Sequence, residues 1–503
     1  MLACYTDRLS VRPTERFTLH ASGSEGPCRL EIARIGADSV VVLTREGVQV
    51  SEQPIPPHVD RDGCGWPVTL ELEVGEAWVS GYYDIKLTDA AGAEAHHFVC
   101  VKPPKGVAGS TAALVLATNT YHSYNWWGGA NAYSNVTGLM SGQTPFDQAM
   151  DEAIGVLSTQ RPFAPLIVAP PADAPRLVND RKRGFKERPW ASDHAWMVAH
   201  RASPYDGSAG YLHKWEHAFV AWAEREGYVF DVLTDYDLEV EPDLLAGYQS
   251  AFFVGHSEYW SGGEREQVER FVDGGGRIGI LSGNTCFWKV RWENEGKTYV
   301  CHKWRGFEAE DVPAAEATHL WSHPAFGKPE AELTGLSFVF AGYHRLGMCV
   351  ARGQGGFTIY NDRHWALEGS DLFYGDVLGG DLPLIGYESD GCKFEFGSDG
   401  LPQAIPMLGV PANLEIIGLA PCAFGEEAGW RGYLWGRLRP MGFWNASLLV
   451  GMLWGLWHAP LIAHGHNYGV GYQGAPWAGI ATMTAFCIAL SPLLGFLRDR
   501  AGN

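Results

Sequence analysis

A histidine and a glutamate two positions apart are the first residues in this sequence that could do chemistry. His256 and Glu258 come directly after the apolar run SAFFVG. Side chains two positions apart in an extended segment face the same way, so imidazole and carboxylate can converge on one point. Such a pair can bind a metal ion or share acid–base catalysis. The alternative, which an isolated H-x-E favours, is a structural hydrogen-bonded pair at the start of a loop.

Two more polar side chains follow apolar runs, and the first of them has a structural as well as a chemical interpretation. Asn284 comes after RIGILSG, where its amide can donate to a developing oxyanion or cap a turn. Glu388 follows the segment PLIGY. Cys286 lies close to Asn284, but its context NTCFW lacks the glycine-flanked elbow of a nucleophile. We therefore interpret Cys286 as a buried thiol.

The stretch TYHSYNWWGGANAY, residues 120–133, carries an unusual density of aromatic side chains. Tyr121, Tyr124 and Tyr133 surround a Trp-Trp-Gly-Gly turn. Most aromatic side chains pack in a core or line a binding wall, and that interpretation is the simpler one for any single tyrosine here. Tyrosinate is also a hard oxygen ligand for a strongly Lewis-acidic ion that lowers the phenol pKa from about 10.

The elements that must position these residues change in type along the chain. Residues 1–105 are short alternating runs broken by Gly, Pro and Asp, which predicts an N-terminal β-sandwich. After a Pro-rich linker, strands such as 113–118 and 229–234 alternate with helices such as 216–227 and 263–276. This alternation predicts parallel βαβ units in an α/β, Rossmann-like or glutamine-amidotransferase-like sheet. Since such sheets bind ligands beyond the carboxyl ends of their strands, we expect one site there.

Composition limits the classes of function. The 503 residues are enough for about three to four domains. Asp and Glu outnumber Lys and Arg by 58 to 38, and the net charge of −20 argues against nucleic acid as a partner. The ten cysteines form no C-x-x-C pair, and the N-terminus has no apolar core of signal-peptide length, so we expect a cytoplasmic body.

The C-terminal region has a different character from the acidic body. Two apolar segments, 443–463 and 479–497, approach the ~20 residues that cross a bilayer. Arginines flank the pair on its outer sides, so a helical hairpin with both ends cytoplasmic satisfies the positive-inside rule. We predict contact with the inner face of a membrane through 443–497. A pair of buried helices in a soluble domain is the alternative.

Several motifs together resemble the large (beta) subunit of N,N-dimethylformamidase and its relatives over about residues 1–421. The matching motifs are YTDRLSVRP, WVSGYYDIKL, TYHSYNWWGGANAY, QRPF, GHSEYWS, SGNTCFWKVRWE and GYESDG. The resemblance implies one mononuclear Fe(III) ion held by two tyrosines and one glutamate. The residues that match those ligands are Tyr124 (with Tyr121 as the fallback), Tyr133 and Glu258.

The resemblance also implies a reaction. His256, Asn284 and Glu388 match the family's catalytic positions, and Trp126 and Trp127, with Tyr121, are expected to line the pocket. The implied activity is hydrolysis of the C–N bond of a small formamide-type linear amide by iron-assisted water attack. A small subunit or a second copy of the chain is the expected partner. The alternative from another class is a non-catalytic α/β ligand-binding module tethered to the membrane.

The tail resembles a second family, the intramembrane metalloproteases that include CAAX-processing enzymes. Glu426, Glu427 and Arg431 form an E-E-x-x-x-R motif, and His458 ends an aromatic-x-x-x-H motif. The family's third motif is missing, which predicts a vestigial site and makes an active protease the weakest alternative. The abrupt join predicts a chimeric chain, which is either a natural fusion that tethers the body to the membrane or a misassembled reading frame. The expected domains are a β-sandwich at 1–105, a catalytic α/β domain at 106–424 and a partial helical hairpin at 425–503.

Overall fold

The computed structural model describes residues 2–133, 155–171, 209–212, 215–343, 357–359, 362–379, 388–391, 409–411, 430, 434–463 and 471–501. The chain divides into two compact units, residues 1–415 and 416–503. Among the described residues, the sheets all lie in the first unit, which is described first.

The N-terminal part of the first unit is built from two sheets and a short helix, α1 (Val59–Asp62). One sheet has three strands in the order β1-β3-β6, and the other has five in the order β2-β8-β7-β4-β5. The strands are β1 (Ala3–Thr6), β2 (Ser10–Val11), β3 (Arg16–Ser22), β4 (Gly26–Ile35), β5 (Ser39–Val50), β6 (Leu70–Glu73), β7 (Gly81–Thr88) and β8 (Glu94–Val101).

Alternation along these strands explains how they pack. In β3, the side chains of Phe17, Leu19 and Ala21 are buried, whereas the intervening residues are partly exposed. A strand presents successive side chains to opposite faces, so this pattern gives one apolar face. That face joins a core with apolar side chains from β4, β7 and β8. Each fully buried Leu or Phe contributes about 1.5–3 kcal/mol to this packing.

The next part of the chain forms a four-stranded sheet in which every paired strand is parallel. Its order is β11-β9-β12-β14. The central strand β9 is buried along nearly all its length, as expected where both faces of a parallel sheet are covered. The strands and helices of this region are β9 (Ala112–Leu116), α2 (Thr118–Tyr124), β10 (Val156–Ser158), α3 (Pro165–Val168), α4 (Glu216–Arg225), β11 (Asp231–Thr234), α5 (Asp235–Val240), β12 (Ser250–Gly255), β13 (Tyr259–Ser261), α6 (Gly262–Asp273) and β14 (Arg277–Ser282).

A second mixed sheet and several short strands follow. The order of the mixed sheet is β10-β16-β15-β13. β17 pairs antiparallel with β20, and β18 lies between β19 and β21. These elements are β15 (Trp288–Glu293), β16 (Thr298–Val300), α7 (Glu330–Thr334), β17 (Ser337–Tyr343), β18 (Phe357–Ile359), β19 (Val377–Leu378), β20 (Glu388–Gly391) and β21 (Gly409–Pro411).

Local sequence sets where the helices begin and end. At the start of α5, the Thr234 hydroxyl accepts from the Asp237 N–H at 3.2 Å, and Asp237 accepts from the Thr234 N–H at 2.9 Å. This reciprocal capping box explains why β11 turns directly into a helix. α6 ends at Asp273, followed by three glycines; Gly275 lies at φ +91°, in the left-handed region that glycine adopts without strain. The prediction of mixed strands and helices in several sheets is confirmed.

The second unit consists of helices in its described residues. Its longest helix is long and apolar enough to cross a membrane over Trp477–Arg500, which confirms an apolar C-terminal helix. The predicted first span, 443–463, is divided into two helices that break at His458. The helices are α8 (Trp435–Leu438), α9 (Phe443–Trp457), α10 (Ala459–Ala463) and α11 (Trp477–Ala501).

Two glycines allow α9 and α11 to approach closely. A Cβ at Gly455 would lie 2.4 Å from the Cα of Thr484, and one at Gly451 would lie 2.7 Å from the Cα of Ile488. Backbones packed at this distance leave no room for a side chain, so the two positions require glycine. Many large apolar side chains of the pair stay exposed, among them Trp444, Trp477 and Phe486 at 66, 76 and 58%.

Candidate functional site

Polar side chains from five separate segments of the first unit converge on one buried point. α2 contributes its last residue, and the segment after it contributes a second tyrosine. The loop after β12, the turn after β14 and the first residue of β20 supply the others. These residues are Tyr124, Tyr133, His256, Glu258, Asn284 and Glu388.

Three oxygen-bearing side chains form the centre of this site. The Tyr124 hydroxyl lies 2.8 Å from Glu258 Oε2, and the Tyr133 hydroxyl lies 3.0 Å from Oε1 and 3.1 Å from Oε2. The two hydroxyls are 3.2 Å apart. All three polar groups are therefore in mutual contact, and Tyr124 and Glu258 are only 4 and 3% exposed.

His256 joins this centre to a second carboxylate. Its Nε2 lies 3.0 Å from the Tyr124 hydroxyl, 3.1 Å from Glu258 Oε2 and 3.4 Å from Glu388 Oε2. Its Nδ1 lies 3.2 Å from the Gly283 carbonyl oxygen. With Nδ1–H donating to that carbonyl, Nε2 is left to exchange a proton with the carboxylates or with a substrate.

Asn284 is held by hydrogen bonds at both its side chain and its backbone. Its Nδ2 donates to Glu258 Oε1 at 3.2 Å, while its backbone lies at φ +56°, where a non-glycine residue is uncommon. Asp390 accepts from the backbone N–H of Asn284 at 2.8 Å and from that of Thr285 at 3.1 Å. These two bonds offset the cost of the conformation and aim the Asn284 amide at Glu258.

The charges of the site are strongly perturbed. Burial lowers the pKa of His256, but Glu388 and Glu258 raise it by more, to about 9. Burial, offset by His256, raises the pKa of Glu388 to about 7. Burial raises the pKa of both Tyr124 and Tyr133, and the Glu258 carboxylate raises it further. The phenols therefore stay protonated unless a cation stabilises the phenolate form.

Sequence reasoning missed a lysine that contacts this centre. The ammonium of Lys303 lies 3.1 Å from the ring centroid of Tyr133, and Lys303 is 4% exposed. Its Nζ has no hydrogen-bond partner among the described residues. Burial lowers the Lys303 pKa to about 8, against the opposing effect of Cys301 and Glu258. The one signal in the sequence was a lysine within the aromatic run TYVCHKW.

The three residues predicted to line the substrate pocket, Tyr121, Trp126 and Trp127, have three different environments. Tyr121 donates to Glu216 Oε1 at 2.6 Å, so the fallback ligand is engaged with another carboxylate. Trp126 is buried, whereas Trp127 lines a cavity with Trp66.

The vestigial protease motif belongs to the other unit. His458 Nδ1 lies 2.8 Å from the Trp454 carbonyl oxygen. Glu426, Glu427 and Arg431 lie outside the described residues.

The oxygens at the centre suit a hard metal ion. Oxygen ligands at ~2.0–2.1 Å on an octahedral ion lie about 2.9 Å apart. The phenol and carboxylate oxygens of Tyr124, Tyr133 and Glu258 are separated by 2.8–3.2 Å. Over the part of the chain that the structure describes, no group of three or more His, Cys, Asp or Glu side chains is arranged to hold a metal. A metal here would therefore depend on the tyrosine oxygens.

Comparison with known proteins gives two matches to family models. Residues 413–503 match the Type II CAAX prenyl endopeptidase Rce1-like family. No curated protein matches the chain. Residues 29–428 match the C-terminal model of the N,N-dimethylformamidase beta subunit-like family. The matched range contains every residue of the buried site. Since that match covers most of the chain, the protein belongs to the N,N-dimethylformamidase beta subunit-like family.

Proposed function

We propose that this protein is a metal-dependent amidohydrolase that cleaves the C–N bond of a small formamide-type linear amide. The family supports hydrolysis of amides. The observation that carries the proposal is the contact of two tyrosine hydroxyls and one carboxylate at 2.8–3.2 Å, with an imidazole 3.0 Å from one hydroxyl. This set supplies hard ligands and an acid–base group at the same point.

The residues fit one Fe(III) ion, held by Tyr124, Tyr133 and Glu258. Ferric iron is acidic enough to stabilise phenolates at neutral pH, and when bound it supplies Lewis-acid polarisation for water attack. The ammonium of Lys303 faces the ring of Tyr133 and favours the phenolate form of that tyrosine. Asn284 holds the Glu258 carboxylate through one amide hydrogen.

The other residues move protons and stabilise charge. Water would add its oxygen to the amide carbon while His256 Nε2 takes one of its protons; the C–N bond would then break, and that proton would pass to the leaving nitrogen. The pKa of about 9 belongs to the metal-free site, and a cation held by Glu258 would lower it and so leave Nε2 free to act as the base. The products are a carboxylic acid and an amine, so atoms balance without a further reactant. Glu388, 3.4 Å from Nε2, stabilises the imidazolium between the two transfers. The second amide hydrogen of Asn284 can donate to the oxyanion.

A visible absorption spectrum and elemental analysis of the purified full-length chain test this proposal. We expect about one iron per chain and a broad phenolate-to-iron charge-transfer band. The band should shift or disappear in Tyr133→Phe, and Tyr374→Phe, which removes an exposed hydroxyl elsewhere, is the matched control. A folded, colourless chain that takes up no iron and hydrolyses none of a set of formamides would refute the hydrolase and favour the non-catalytic binding module.

The proposal extends to the domain architecture of the chain, its location in the cell and its partners. We infer a β-sandwich for 1–105 and a Rossmann-like catalytic domain for 106–424, which the antiparallel and parallel pairings support. The remaining residues, 425–503, would be a partial hairpin. The body would be cytoplasmic, working with a small subunit or a second copy.

The match of the tail supports membrane association, and it also gives the second candidate function. We propose that the tail anchors the body to the inner face of the membrane rather than acting as an intramembrane protease. Fractionation of the full chain tests the anchor: recovery in the soluble fraction without detergent would contradict it. Cleavage of a prenylated peptide that is lost in His458→Ala would instead support the protease.

A further inference from the structure

The aromatic segment that carries the site tyrosines also forms one wall of a separate cavity. This cavity has a volume of about 150 Å³ and opens near the ends of β1 and β3. Trp127 and Trp66 line it, with their ring centroids 5.9 Å apart and their planes at 88°. Two indoles at a right angle make a corner in which a small ligand can contact both rings.

The corner is rigid, and polar groups line the cavity beside the two indole rings. The Trp66 Nε1–H already donates to the Pro54 carbonyl at 2.8 Å. Behind it, Tyr5 packs against Trp66 with centroids 5.6 Å apart and stacks on His20 at 4.7 Å. Trp66 is 4% exposed and Tyr5 is 2% exposed, so packing fixes this wall.

The rim of the cavity is negatively charged. Glu52 lines it with an exposed side chain, together with the polar side chains of Gln53 and Ser22. Among the described lining residues there is no lysine or arginine to neutralise Glu52. The quadrupole of an aromatic ring and a carboxylate attract the same kind of ligand, a cation with an apolar surface.

The cavity is connected to the site by covalent and hydrogen-bonded structure. The Trp127 N–H donates to Asn125 Oδ1 at 3.1 Å, directly after Tyr124. Asn131 Nδ2 donates to the Tyr124 carbonyl at 3.0 Å, and its Oδ1 accepts from the Tyr133 N–H at 2.9 Å. A ligand against Trp127 therefore contacts the segment that positions both site tyrosines.

We propose that the corner formed by Trp66, Trp127 and Glu52 is a second ligand site, for a small alkylammonium ion. Protonated amines of this kind have the chemistry of one product of amide hydrolysis. The site itself does not depend on the hydrolysis, because only the cavity and its charge define it. Its occupant is a methylated or short-chain ammonium rather than a neutral molecule of the same size.

Isothermal titration of the full-length chain with tetramethylammonium chloride tests the proposal without amide or metal. We expect saturable binding that sodium chloride and the neutral tert-butanol do not reproduce. Trp127→Leu should weaken binding about thirtyfold, as for a desolvated cation–π contact. Glu52→Gln should weaken it by up to about fivefold, the usual contribution of an exposed ion pair.

Glu76→Gln is the matched control, because Glu76 is exposed and does not line the cavity. Equal affinity in Glu52→Gln and Glu76→Gln would overturn the role of Glu52. Equal binding of tert-butanol, or no saturable binding of tetramethylammonium, would overturn the site itself. Neither result bears on the proposed hydrolase activity, because iron content and amide cleavage test that activity separately.

Discussion

Replacing Lys303 by methionine should make the metal-free protein more stable at neutral pH. Burial lowers the Lys303 pKa from 10.5 to about 8. At 1.36 kcal/mol per pKa unit, keeping the ammonium buried at pH 7 costs about 3 kcal/mol. The cation–π contact with Tyr133 returns up to about 2 kcal/mol. Because methionine fills a similar volume without charge, we expect Lys303→Met to raise the free energy of unfolding by about 1–3 kcal/mol.

The pH dependence gives this prediction its sharpest test. The folded pKa of Lys303 lies below the unfolded value, so between pH 8 and 10.5 the unfolded chain binds a proton that the folded chain has lost. Wild-type stability therefore rises with pH across that window, relative to the variant. The advantage of Lys303→Met should shrink from pH 7 and vanish near pH 10.5, since all other titrating groups are common to both proteins.

Urea unfolding followed by tryptophan fluorescence, with a chelator present, measures both effects. Lys297→Met is the control, since Lys297 is exposed, and its change should stay within about 0.5 kcal/mol. A destabilised Lys303→Met protein at pH 7 would refute the reasoning, as would a stability gap that does not change with pH. The iron-loaded form should show the opposite ranking, with weaker iron retention in Lys303→Met, if the ammonium supports the Tyr133 phenolate.

Three further predictions concern the metal centre and the tail. Glu258→Gln should lower the iron content at least tenfold with the fold intact by circular dichroism; full iron occupancy would remove Glu258 from the ligand set. Tyr121→Phe should leave the charge-transfer band in place, because Tyr121 hydrogen-bonds to Glu216, and a lost band would restore it as the ligand. Gly455→Leu should separate α9 from α11 and expose the buried Cys487 to maleimide labelling, mapped by mass spectrometry, at least tenfold faster than in wild type. Gly436→Leu, where nothing lies within 4 Å of the added Cβ, is its control, and unchanged labelling in Gly455→Leu would contradict the close packing.

Some features of the site could be predicted because they are local. His256 and Glu258 lie two positions apart after a strand, and the structure brings the Nε2 of one to 3.1 Å from the carboxylate of the other. The polar residues after β9, β12 and β14 follow neighbouring strands of one parallel sheet, so their proximity follows from the topology. Their roles in catalysis stay predictions.

Other features depend on contacts that no local pattern encodes. Asp390 reaches the Asn284 backbone because β20 packs tightly on the turn after β14: a Cβ at Gly283 would lie 2.3 Å from the Glu388 carbonyl oxygen. Lys303 reaches Tyr133 across 170 positions of sequence separation, which residue spacing cannot reveal. In the tail, hydropathy alone gave two spans of similar length, whereas the structure has a 15-residue helix and a 25-residue helix.

The segment from Asn125 to Ala130 lies between the two site tyrosines and has little backbone pairing of its own. One buried side chain, Arg161, holds this segment: its guanidinium donates to the carbonyl oxygens of Asn125, Trp127 and Ala130. A planar fork with five donors can do this, and a lysine cannot. The order of the segment that joins the two site tyrosines therefore depends on a residue outside it. Replacing Arg161 would leave the carbonyl oxygens of Asn125, Trp127 and Ala130 without this donor, and so would disturb the backbone that joins Tyr124 to Tyr133.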